Sequence, residues 1–204
     1  MAVYISIESV TIVALIEIPP PDAAKRTFFE GLGVPDHLRK LHFSLPLYAP
    51  SLSELKKTAG GPLQTKLLGW QFLTTDAKGA AVAGEVPMEP DVPEDEMETS
   101  LTRGIPIDEA LKASIMIREE HDRLKEQWEF RRLRISFLRI DAFWLKSFPV
   151  DDFLSGNDRV YSFVTFEEDL KAKLVPGAAF LAVVRQMAAR PMARNAPPSS
   201  SRLS

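Results

Sequence analysis

Cysteine is missing from this sequence altogether. Its absence excludes disulfide bonds, thiolate nucleophiles, cysteine-ligated zinc and iron–sulfur clusters. Histidine is nearly missing too, with only His37, His42 and His121, so metal and general-base schemes built on it can be checked residue by residue. There is no long apolar run. The most apolar early stretch, Val10 to Ile16, is closed by Glu17, and a spanning helix needs about 20 such residues. A secretory signal lacks its basic start, because no Lys or Arg precedes Lys25 and Glu8 and Glu17 intervene. The cytoplasm is the expected location. Nor is there a surplus of positive charge: the net charge is −3, which makes a nucleic-acid partner an unfavourable reading.

Glycine-rich phosphate cradles are also absent. Gly31-Leu32-Gly33 has no third glycine and closes a helix, and no Gly-Lys-Ser/Thr sequence occurs. The acidic run from Glu89 to Glu98 lacks the glycine and spacing of a calcium loop. What remains is the composition of a globular chain, 45% hydrophobic and 26% charged over 204 residues. One domain over 1–176 is expected, with an acidic mobile loop at 89–100, a C-terminal apolar helix at 177–190 and a disordered tail at 191–204.

Periodicity predicts an α+β fold. Period-two alternation marks strands at 3–18, 41–48, 65–75, 80–87 and 131–138. A second apolar block covers 142–150. Pro46 lacks an amide hydrogen, which suggests an edge position for 41–48. Asp22 caps a helix to Leu32, Ser51-Leu52-Ser53-Glu54 opens a short one, and Thr165-Phe166-Glu167-Glu168 another to about Leu174. The longest helix is expected at 107–130, where Ala110, Ser114, Ile117, His121, Leu124 and Trp128 make one stripe. The expectation is therefore a mostly antiparallel sheet of about five strands packed against one long amphipathic helix, with a C-terminal helical segment.

The runs Leu41-His42-Phe43-Ser44-Leu45-Pro46-Leu47-Tyr48, Leu68-Gly69-Trp70-Gln71-Phe72-Leu73 and Leu133-Arg134-Ile135 to Phe143-Trp144-Leu145 resemble a bacterial family of small proteins. No activity is established for that family, so the resemblance implies no catalytic residues. Where the family has an Asn-Gly-Pro stretch before the long helix, this chain has Thr102-Arg103-Gly104-Ile105-Pro106.

Candidate chemistry is sparse. His121 has no histidine or glutamate at ligand spacing on its helix face, so it reads as a packed residue and no metal site is expected. His37 reads as a loop residue. His42 and Ser44 share a strand face, but no nucleophile elbow or orienting carboxylate accompanies them. No catalytic residue and no cofactor are assigned. Arg131, Arg132, Arg134 and Arg139 put four guanidinium groups within nine residues. They read first as a solvated face paired with Glu126, Glu129, Asp141 or the acidic loop, then as an anion site, and last as a nucleic-acid surface. The residues 178–190 are apolar around more than one face, which reads as core or as an interface.

Two functions follow. The first is a non-enzymatic protein-interaction or self-association module, a homo-oligomer using Phe180, Leu181, Val184 and Met187 or an edge strand. The alternative is a binding protein or enzyme for a small anionic ligand, with His42, Tyr48, Arg132 and Arg134 lining the pocket.

Overall fold

A computed structural model describes residues 15–32, 41–57, 60–75, 81–88, 100–103, 105–121 and 127–190. The elements in chain order are β1 (Leu15–Ile16), α1 (Asp22–Leu32), β2 (Leu41–Ala49), α2 (Leu52–Leu55), β3 (Leu63–Gln64), β4 (Lys66–Thr75), β5 (Ala81–Pro87), β6 (Ser100–Arg103), α3 (Ile105–His121), β7 (Trp128–Ile135), β8 (Ile140–Ser147), β9 (Phe153–Leu154), β10 (Arg159–Val164), β11 (Leu174–Pro176) and α4 (Gly177–Ala189). The expected strand residues 3–14, the hairpin loop 76–80, most of the acidic loop (89–99), His37 and the tail 191–204 lie outside the described residues.

The expected five strands against one long helix are corrected. One mixed sheet runs in the order β11-β10-β8-β7-β2-β4-β5-β6, with β1 as a ninth strand on β7. Its helices are short. The β2–β7 and β1–β7 pairs are parallel and the others antiparallel. β2 is an interior strand, not an edge. Its ladder to β7 comprises Leu47 and Tyr48, immediately after Pro46, so the missing proline amide falls outside that pairing.

The helix expected over 107–130 ends at His121, and Trp128 belongs to β7. The helical stripe continued through Trp128 by coincidence of spacing. An unbroken antiparallel ladder from Trp128↔Ser147 to Ile135↔Ile140 decides the local conformation, because cross-strand packing outweighs weak propensity. The segment opened by Thr165 is likewise a turn. The Thr165 hydroxyl accepts the amide of Glu167, two residues on, and the chain then enters β11.

Alternation along the strands gives the sheet two buried faces. On one, Phe43, Leu45, Leu73, Phe130, Phe143 and Leu145 pack against Ile107, Ala110, Ala113 and Ile117 of α3. On the other, Tyr48, Leu133, Trp144 and Val160 pack against Phe180, Leu181 and Val184 of α4. α1 covers the β4–β5 end of that second face, where Phe28 stacks on Phe72 with centroids 4.8 Å apart. Burying such a side chain is worth about 1.5–3 kcal/mol, so each helix is held by its apolar stripe and not by its length.

Candidate functional site

The residues expected to share an anion pocket are divided by the sheet. Tyr48 pairs with Leu133 and lies on the α4 face, while Arg132 and Arg134 lie on the α3 face. The side chain of His42 lies outside the described residues. Arg132 is buried, with its guanidinium 4.0 Å from the Phe163 ring centroid and its Nη2 3.2 Å from Asp141 Oδ1. Its Nε and Nη1 have no hydrogen-bond partner among the described residues. Burial pushes its pKa down to about 10, against the pull of Asp141.

Arg134 forks onto Glu85, with Nη1 donating to Oε2 at 2.6 Å and Nη2 donating to Oε1, and its Nε donates to Asp141 Oδ1 at 3.1 Å. Gln71 Nε2 also donates to Glu85 Oε1, at 2.9 Å. The fork joins β7 to β5, strands separated in the sheet order by β2 and β4. Burial alone would lower the Arg134 pKa, but the hydrogen bonds to Glu85 and Asp141 raise it overall. Two guanidiniums face two carboxylates here. Little attraction for an added anion is left over.

The residues expected at an interface are equally occupied. Phe180, Leu181 and Val184 are buried beneath the sheet, and Met187 packs on the same cluster. The C-terminal helix completes the protein's own core.

A different polar layer lies on the α4 face of β7 and β8. Glu129 pairs across the strands with Lys146, and Arg131 with Trp144. The Arg131 guanidinium lies 4.5 Å from the Tyr48 ring centroid and 4.6 Å from that of Trp144. It donates from Nε to Glu129 Oε1 at 2.5 Å and from Nη1 to the Asp151 carbonyl at 2.7 Å. Lys146 Nζ reaches the Phe153 carbonyl at 3.0 Å, Asp151 Oδ1 at 2.9 Å and Asp158 Oδ1 at 3.5 Å. Burial drives the Tyr48 phenol up to about 12, with Arg131 opposing and Asp152 and Glu129 reinforcing.

Asp158 organises the end of this layer. Its carboxylate is fully buried and accepts from Trp144 Nε1 at 3.0 Å, Ser147 N at 3.0 Å, Ser147 Oγ at 2.7 Å and Ser155 N at 2.8 Å, besides Lys146. These five donors tie the ends of β8 and the 155–158 turn to one carboxylate.

An open cleft of about 750 Å³ lies beside this turn, walled by Trp128, Ser147, Phe148, Asn157, Arg159 and Pro176. The buried Trp128 indole Nε1 has no acceptor among the described residues. Arg159 forms no ion pair with any described residue. Pro176 precedes the first turn of α4, so the positive end of a 13-residue helix faces the same region. Gly177 makes this junction possible: its amide donates to the Asp158 carbonyl at 2.7 Å, and a Cβ there would sit 2.0 Å from the Ser155 carbonyl oxygen.

In the sequence, Ser155-Gly156-Asn157 has only the composition of a turn. Arg159 stands apart from the cluster of arginines at 131–139, so proximity in the chain gives it no signal. Asp158 adjoining that turn is the site's one visible signal, since short polar side chains fix turns through backbone amides.

Among the described residues no group of three His, Asp or Glu side chains is placed to hold a metal ion, and no helix is long and apolar enough to cross a membrane. Comparison with protein-family models, curated proteins and solved structures found no match to this chain.

Proposed function

We propose that this is a non-enzymatic binding protein that holds a small anionic molecule, a carboxylate or phosphate, in the cleft between β7, β8 and the 155–158 turn. The carrying observation is the Arg159 guanidinium, which forms no ion pair with any described residue, on the wall of this cleft. Phe148 and Trp128 supply apolar wall for the rest of the molecule. The α4 N-terminus adds a favourable field for negative charge.

This reading moves the anion site away from Arg132 and Arg134, whose charges are already matched, to Arg159. Self-association through the C-terminal helix is the weaker reading, because Phe180, Leu181 and Val184 have no surface to offer.

The test is a thermal-shift and calorimetric screen of small carboxylates and phosphates at low ionic strength. A hit should lose about tenfold or more of its affinity in Arg159→Ala, since a charge-assisted hydrogen bond is worth about 1.5–3 kcal/mol. A hit that binds Arg159→Ala as tightly as the native protein, or a panel with no hit, defeats the proposal.

A further inference from the structure

Residues 148–153, joining β8 to β9, display an unusual pairing of apolar and acidic groups. Phe148 is 50% exposed, and Val150 and Phe153 are each 41% exposed. Between them stand the Asp151 and Asp152 side chains, 48% and 63% exposed. Their cationic partners lie underneath, with Arg131 only 2% and Lys146 only 3% exposed. The surface thus presents carboxylates and apolar side chains, while the neutralising charges are hidden. Counting the whole layer, the four carboxylates Glu129, Asp151, Asp152 and Asp158 exceed the two cations, so an outward negative field remains.

The segment is clamped from below. Arg131 holds the Asp151 carbonyl, Lys146 holds the Phe153 carbonyl and the Asp151 carboxylate, and Asp151 Oδ1 accepts the Phe153 amide at 3.0 Å. Three large apolar groups are therefore held outward by a buried scaffold. That order lowers the entropy cost of docking. Strand addition is not the mode, because the Phe153 amide and carbonyl are both engaged and β9 already pairs with β3.

We infer that the 148–153 segment is a docking surface for a cationic, apolar-bearing segment of another protein. A second copy of this chain is disfavoured, since a two-fold contact would oppose Asp151 and Asp152 of both copies. An anionic membrane is disfavoured by the same charges. The inference is independent of the cleft, with Phe148 the one residue common to both.

The experiment is selection from a fully degenerate dodecapeptide display library on the native protein and on a Val150→Ser, Phe153→Ser double variant. Both side chains are solvent-exposed, so the fold is retained; matching circular dichroism and thermal melts check this, and Asp152→Asn supplies a second variant. Peptides mixing Lys or Arg with aromatic or aliphatic residues should enrich on the native protein alone. The best of them should bind about tenfold more weakly to the double variant, more weakly to Asp152→Asn, and more weakly as salt rises. The inference is overturned by no enrichment over the double variant, by enrichment of acidic or neutral peptides, by a dimer in sedimentation that the double variant abolishes, or by retention on phosphatidylserine vesicles that it abolishes.

Discussion

Strand β7 carries ionic groups on both of its faces, and the two faces treat them differently. Toward α3, Arg132 and Arg134 meet Asp141 and Glu85 in a balanced, closed set. Toward α4, Glu129, Arg131 and Lys146 join three aspartates in a set with excess negative charge that opens onto the 148–153 loop. A balanced set ties strands together. An unbalanced one whose anions reach solvent has interactions left to make.

The contrast can be broken most severely at Asp158. Asp158→Ala should cost about 3–5 kcal/mol of stability in urea melts, because it strips a buried lysine and four further donors of their shared acceptor. On the other face, Glu85→Ala should cost about 1–3 kcal/mol, since Arg134 is partly exposed and keeps Asp141. Arg132→Met should fall within about 1 kcal/mol of native, because two of its nitrogens are buried without a hydrogen-bond partner among the described residues and its guanidinium lies against Phe163. If Arg132→Met proves as damaging as Asp158→Ala, the α3-face set is the structural equal of the other and the distinction fails.

The smallest effect concerns Tyr48. An absorbance titration should show one phenol ionising near 12, lost in Tyr48→Phe. A folded pKa raised above the ordinary 10.0 means that the stability tied to the neutral phenol is complete below pH 10 and declines as pH climbs toward 12. An alkaline melt of Tyr48→Phe should accordingly be flatter over that window than the native one.

Local signals carried the parts of this fold that were readable. Asp22 and Ser51 marked the starts of α1 and α2, and the Ser51 hydroxyl does accept the Glu54 amide. β7 was readable only in part: residues 131–135 fall in the expected strand 131–138, while Trp128 to Phe130 fall in the expected helix 107–130. Both faces of β7 are buried and both carry charge, so the alternation is blurred where the strand begins. β10 shows no clean alternation either, since Val160 and Tyr161 are adjacent and both buried, on opposite faces of the sheet. For the polar sets, the pairing of arginines with Glu129 and Asp141 was legible from proximity in the chain. The roles of Glu85 and Asp158 were not, because β4–β5 and β8–β10 pairing brings them in from 49 residues before Arg134 and 14 after Trp144.

Gly177 joins two things usually separable, the seating of a helix and the shape of a binding wall. With a lone hydrogen between the Ser155 carbonyl and α4, the cleft has no slack of its own. A repacking of Phe180 or Val184 that tilts α4 is passed on to the turn bearing Asn157 and Arg159. On the proposed function, core substitutions far from solvent should therefore alter anion selectivity as surely as changes in the cleft itself.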